Sequence, residues 1–117
     1  MVVEPYQMYD DHRTKTLDPP AREDIDLGAV LHALSDPTRL QIVAALDSRP
    51  EACPTGSIDV QVSKSTCTYH FRVLREAGVV RQRPDGTARL NTLRREDLDA
   101  RFPGLLDAIL DGCVKSA

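Results

Sequence analysis

The chain has 117 residues with no tryptophan, and aromatics make up only 4% of it. Its core must therefore come from Leu, Val, Ile and Ala. No apolar run approaches the ~18–20 residues that a membrane span needs. The N-terminus, Met1-Val-Val-Glu-Pro-Tyr6, has neither the basic start nor the apolar middle of a secretory signal. The expectation is a cytoplasmic protein with no membrane partner. Three cysteines, an odd number, fit a reduced compartment better than a disulfide framework. Catalytic signatures are missing as well: no phosphate-cradling glycine loop, no Gly-x-Ser-x-Gly and no carboxylates with a reason to converge. Cys67 and His70 form a close pair, but they share one short helical face with no third group to orient a base. An enzyme is not expected. No internal repeat or low-complexity segment is present, and the length suits one domain.

Charge is present, and it is unevenly placed. The total is −3 at pH 7. Residues 61–95 nevertheless hold eight bases (Lys64, Arg72, Arg75, Arg81, Arg83, Arg89, Arg94 and Arg95) against Glu76 and Asp85, a net of +6. The remaining 82 residues carry seven bases and sixteen acids. Polyanion binding responds to local potential rather than to a chain total, so this segment is the candidate contact surface for nucleic acid. Arg-rich surfaces also occur at protein interfaces.

Along the chain, residues 1–24 contain Pro5, Pro19 and Pro20, clustered charge and no sustained period, and read as an arm. From Asp26 a helical stripe begins, with Leu27, Val30, Leu31 and Leu34 at helical spacing and Asp26 as its cap. Ser35-Asp36-Pro37 ends that helix and starts another, with Asp36 as N-cap and Pro37 at the first helical position. Leu40, Ile42, Val43 and Leu46 form the stripe of this second helix. The stretch 48–56 is punctuation, and Ser57-Ile-Asp-Val-Gln61 is too short and glycine-flanked for a firm helix. A third helix runs from the Ser63 cap to Ala77 and stops at Gly78. Val80–Arg83 and Thr87–Asn91 alternate on either side of Pro84-Asp85-Gly86, which predicts a β-hairpin with its arginines on an outer face. Leu98, Phe102, Leu105, Leu106, Ile109 and Leu110 predict two further helices broken at Pro103-Gly104.

The third helix is the most informative element. At about 100° per residue, Cys67, His70, Phe71, Leu74 and Ala77 fall on one side of it. Ser65, Thr68, Tyr69 and Arg72 fall opposite, with Lys64 and Arg75 flanking. Small hydroxyls near the N-terminus let the backbone approach a groove floor, and the helix dipole favours phosphate there. Arg72 can reach a guanine edge or a phosphate, and Tyr69 a thymine methyl or a phosphate. Helix, stop glycine and basic hairpin in that order point to a duplex-binding module of the winged helix-turn-helix kind.

The segment Leu34-Ser-Asp-Pro-Thr-Arg-Leu-Gln-Ile-Val43 resembles the signature of the ArsR/SmtB family of bacterial repressors. Val62-Ser-Lys-Ser-Thr-Cys-Thr-Tyr-His-Phe-Arg-Val-Leu-Arg-Glu-Ala-Gly-Val79 is similar to that family's recognition helix and its exit into the wing. The likeness covers roughly residues 27–110. It implies an α+β, mainly α, winged helix-turn-helix with a two-stranded β-wing, dimeric, occupying a palindromic operator as a repressor. It places base contacts at Ser65, Thr68 and Tyr69, with Lys64 and Arg72 near phosphates or base edges, and wing contacts at Arg81, Arg83 and Arg89; Arg75, flanking the same helix face by its spacing, is counted with the DNA-binding residues. The DNA-binding and dimerisation domain is expected over 25–113. Double-stranded DNA and a second copy of the chain are the expected partners. Leu105, Leu106, Ile109 and Leu110 are expected at the dimer interface, with pairing through residues around 1–34 and 98–113.

Two departures from that family stand out, one in what the protein senses and one in the entry to the motif. Metal-responsive members often carry a Cys-x-Cys pair in the first helix of the motif, or Asp/His and His/Glu pairs along the last helix, and this sequence has neither. The segment 54–61 is also a poor helix former. No metal and no cofactor are expected. Cys67 and His70, with Cys53 as a third ligand, form the only compact metal-like set, and packing of the helix explains the pair more simply. Cys53 and Cys67 are a candidate thiol switch. Cys113 lies in the C-terminal tail, and His12 with Asp10 and Asp11 makes a weak acidic cluster in the arm. The effector is not named by these residues. A winged-helix adaptor that binds protein instead of DNA remains the alternative.

Overall fold

The computed structural model describes residues 19–49 and 51–116, with side chains to 113. The arm up to residue 18, including His12, Asp10 and Asp11, lies outside the described residues. Five helices and three strands follow in order: α1 Leu27–Ala33, α2 Pro37–Asp47, β1 Cys53–Pro54, α3 Lys64–Ala77, β2 Val80–Asp85, β3 Ala88–Leu93, α4 Arg95–Arg101 and α5 Leu105–Ser116. Short 3-10 turns occupy Arg22–Asp24 and Thr55–Ser57.

The caps form as their residue types dictate. Asp26 accepts from the Ala29 amide at 3.0 Å and Asp36 from the Arg39 amide at 3.1 Å, each satisfying one orphan donor of a first turn. Ser63 Oγ accepts from the Thr66 amide at 3.2 Å at the start of α3. Gly78 ends α3 with φ 87°. A Cβ there would stand 2.8 Å from Ile25 Cγ1 and 3.2 Å from Pro20 Cγ, so both the conformation and the close approach require glycine.

The sheet is antiparallel in the order β1-β3-β2. The two-stranded wing expected from sequence is present as β2 and β3, and a third, two-residue strand joins its base through Cys53 opposite Asn91. Pro84 and Asp85 lie within β2, and the loop shrinks to Gly86 and Thr87, with Gly86 at φ 64°. Such a positive φ suits the first position of a two-residue hairpin turn. Pro84 is tolerated because β2 is an edge strand, where a missing N–H breaks no interior ladder.

Residues 54–61 form no α-helix. Pro54 and Gly56 disfavour one, and Asn91 Nδ2 donates to the Cys53 carbonyl (3.0 Å) and to Thr55 Oγ1 (2.9 Å), which ties this segment to the sheet instead.

Val30, Ala33, Ile42, Val43, Leu46, Phe71, Leu74, Val79, Val80, Leu98 and Leu106 are central to the core. One expectation changes here. Leu106 and Leu110, expected at a dimer interface, are 2% and 8% exposed within one chain, because their i, i+4 stripe packs α5 onto its own core. Leu27 and Leu31, which share the helical stripe read from sequence with Val30 and Leu34, are 44% and 45% exposed. α1 turns Val30, Ala33 and Leu34 inward, and that rotation leaves the Leu27–Leu31 stripe outside. Leu105 and Ile109 are half-buried.

Residues 20–25, at the junction of the expected arm and domain, are fastened to α4 and the turn before it. Arg94 Nη1 donates to the Pro20 carbonyl at 2.7 Å, Arg22 pairs with Asp97 at 2.7 Å, and Arg101 Nη2 donates to the Ile25 carbonyl at 2.6 Å. Arg95 clips α2, α4 and α5 together through Asp47 and Asp107, both at 2.8 Å. Those hydrogen bonds raise its pKa above the ordinary guanidinium value. Among the described residues no helix is long and apolar enough to cross a membrane.

Candidate nucleic-acid interface

α3 is amphipathic because its polar and apolar residues recur at three- and four-residue spacing. His70, Phe71, Leu74 and Ala77 are buried, and Cys67 is half-buried. The opposite side brings Lys64, Ser65, Thr68, Tyr69 and Arg72 together, all exposed. Thr68 Oγ1 donates to the Lys64 carbonyl at 3.0 Å, which orients its methyl and its remaining lone pairs. The Arg72 guanidinium lies 5.6 Å from the centroid of the Tyr69 ring. Contact with the ring face limits the rotamers of both side chains before any partner arrives.

Arg75 is corrected. Expected to flank the presented face, it is 3% exposed, and its Nη1 donates to Gln82 Oε1 at 2.9 Å. Burial pushes its pKa down, opposed by Glu76, with Arg89 and Arg72 adding repulsion. The buried chain continues: Gln82 Nε2 donates to Asn91 Oδ1 at 2.7 Å, and Asn91 reaches the Cys53 carbonyl and Thr55. One polar relay thus joins α3, both wing strands and β1, with its members hydrogen-bonded as buried polar groups must be. The sequence carries a signal for this relay. Gln82 and Asn91 stand directly opposite each other at inward-facing positions of alternating strands.

A second buried contact fixes α3 against α2. Arg39 is 6% exposed; its Nε donates to the Ala33 carbonyl at 2.6 Å, and its Nη1 lies 3.0 Å from His70 Nδ1. A guanidinium only donates, so His70 Nδ1 accepts and the ring proton sits on Nε2. His70 is therefore an anchor of α3. Its Nδ1 lone pair is engaged, and among the described residues no group of three or more His, Cys, Asp or Glu is placed to hold a metal ion.

The wing arginines divide between two faces. Arg81 and Arg83 alternate with the buried Val80 and Gln82 and point away from α3. Arg89 faces Pro84 across the hairpin, two residues before the buried Asn91, and so shares the α3-facing side. The expectation of a single outer face fails on this register. Arg81 is further drawn to Asp97 at 3.6 Å. Of the eight bases in 61–95, Arg75 and Arg94 are buried and Arg81 and Arg95 are ion-paired. Lys64, Arg72, Arg83 and Arg89 remain exposed, none in an ion pair with another described residue.

All three cysteines are free. Cys53 is buried, its thiol directed at the Glu51 carbonyl at 3.4 Å. Burial pushes the Cys67 thiol pKa up, which keeps it protonated and poorly nucleophilic.

Comparison with known proteins places this geometry. A model described as a helix-turn-helix domain matches residues 34–83. The uncharacterized HTH-type transcriptional regulator YceK of Bacillus subtilis (strain 168) is 32% identical over 82 residues, covering 68% of this chain and 82% of YceK. A crystallised "Possible transcriptional regulator for arsenical resistance" is 31% identical with TM-score 0.57, covering 79% of this chain and 98% of that one. The chain belongs to the ArsR family of winged helix-turn-helix transcriptional regulators. A further crystallised ArsR family transcriptional regulator, 20% identical, shares the fold with TM-score 0.59 over 70% of this chain and 90% of its own. ArsR-family proteins are DNA-binding regulators and not enzymes, which accords with the missing catalytic constellation. The helix-turn-helix of this ArsR-family member is abbreviated, since a 3-10 turn and irregular residues 58–62 stand where two-helix motifs place their first helix.

Proposed function

We propose that this regulator is a homodimeric repressor that occupies a palindromic operator. In this reading α3 enters the major groove, with Ser65, Thr68, Tyr69 and Arg72 at base edges and Lys64 at phosphate. Arg83 and Arg89 hold flanking phosphates from opposite faces of the wing, and Arg81 contributes less because Asp97 competes for it. The observation that carries the reading is the exposed α3 face together with four cations that have no ion-pair partner among the described residues. Phosphates would supply the missing partners. The twofold contact is assigned to the exposed Leu27–Leu31 stripe of α1 and to the half-buried Leu105 and Ile109 of α5. Pairing there would set two α3 helices about one DNA turn apart, the spacing of two half-sites.

The test selects bound duplexes from a random pool and measures their affinity across salt concentrations. A palindromic consensus is expected, with log K falling steeply against log salt, by roughly 0.9 per phosphate contacted. Absence of any enriched sequence, with salt-insensitive capture of protein partners instead, would identify an adaptor and overturn the proposal.

A further inference from the structure

A cavity of about 580 Å³ opens between α3, the wing and residues 54–62. It lies where the first helix of the motif is reduced to a 3-10 turn, which leaves Cys67 of α3 half-buried at its wall, with the buried Phe71 behind it. Its volume falls in the roughly 300–1,000 Å³ range of small-molecule sites. The walls are of two kinds. Ile58, Val60, Val62, Cys67 and Phe71 supply an apolar surface, whereas Lys64 and Arg89 bring two cations from α3 and β3. Among the described residues no acidic one lines it. Gln82 and Thr55 add polar groups, and both belong to the buried relay that ends at Arg75 and Cys53.

We propose that this cavity is an effector site for a small aromatic carboxylate, and that its occupation competes with DNA. The apolar walls accept the ring system. Lys64 and Arg89, which have no ion-pair partner among the described residues, accept the carboxylate. Competition follows from shared residues, because Lys64, Thr68 and Arg89 line the cavity and also belong to the proposed DNA-binding face. A carboxylate held by the two cations removes them from phosphate. The regulatory half of this inference rests on the DNA-binding reading above; the binding half does not.

The experiment titrates the full chain, labelled with nitrogen-15, with 2-naphthoate and in parallel with 2-naphthamide, which keeps the shape and lacks the charge. Saturable amide shifts are expected at Ile58–Val62, Cys67, Thr68 and Arg89, with naphthamide about fivefold weaker. Val60→Trp fills the cavity and is expected to abolish the naphthoate response while the selected operator is still bound. The double variant Lys64→Gln/Arg89→Gln keeps the apolar walls and is expected to bind both probes equally, which provides a test even if Val60→Trp does not fold. Shifts that scatter over the surface, fail to saturate or survive Val60→Trp overturn the site. Binding at the mapped residues with unchanged operator affinity overturns the competition. Naphthoate binding by a protein that selects no DNA supports the site and overturns the proposed function instead.

Discussion

Arg72 and Arg75 are three residues apart on α3, yet one is exposed against Tyr69 and the other is buried against Gln82. Their substitutions should separate cleanly. Arg72→Ala is expected to weaken operator binding by ~1–3 kcal/mol with little change in unfolding. Arg75→Ala is expected to cost about 2–3 kcal/mol of stability, since it leaves Gln82 Oε1 buried without its donor. Fluorescence anisotropy on the operator and urea unfolding, run on both variants, read the two effects; equal DNA losses would refute the division. Asp97 gives the pH-dependent case. Its carboxyl sits below the usual carboxylate range, first because Arg22 donates a hydrogen bond to it and then because Arg94 does, with partial burial opposing. A carboxylate depressed in this way adds stability above its unfolded pKa near 3.9 and loses it as pH falls through the lower folded value. Asp97→Asn should therefore be less stable than wild type by roughly 2 kcal/mol at pH 7, because Arg94 loses its buried partner. That gap should close between about pH 5 and pH 2. Urea midpoints across that window provide the measurement, and a gap constant with pH would count against the pairing.

At the scale of elements, the wing and α3 behave as one unit because buried polar contacts join them. Gly78 lies between them, where the end of α3 packs against Ile25 and Pro20. Gly78→Ala combines a positive φ with a contact tighter than van der Waals separation allows. It is expected to lower stability by about 2 kcal/mol or more. Gly86→Ala, at φ 64° in open space, should cost nearer ~1 kcal/mol. Calorimetric melting temperatures of the two variants make the comparison, and the reverse order would remove the packing argument at Gly78. The abbreviated first helix is the other element-scale feature. It follows from Pro54, Gly56 and the Asn91 amide, which hold residues 53–55 on the sheet.

For the whole molecule, the exposed apolar stripe of α1 matters most. Two leucines at 44% and 45% exposure on one short helix are costly to leave in water and easily covered by a twofold copy. Leu27→Lys/Leu31→Lys is expected to shift the protein to a monomer in sedimentation velocity at micromolar concentration. Operator affinity should fall at least tenfold, because each half-site would then be bound alone. Leu106→Ala, by contrast, should unfold the chain by ~2–5 kcal/mol, since that residue is core. A dimer that survives the double lysine variant would move the interface elsewhere.

Local signals and spacing are short-range, and they were sufficient for much of this protein. The Asp26, Asp36 and Ser63 caps, the stop at Gly78, the hairpin around Gly86 and the break at Pro103-Gly104 all follow from side chains acting on their own backbone. The polar face of α3 and the family likeness were legible for the same reason. Tertiary structure alone decided which stripe of α1 turned inward, that Leu106 and Leu110 packed within their own chain, and that Arg75 left the surface for Gln82. It also split the wing arginines between two faces and opened the cavity beside α3. These outcomes depend on contacts between residues distant in the chain, and on a rotation of each helix that its own periodicity leaves free until neighbours pack against it.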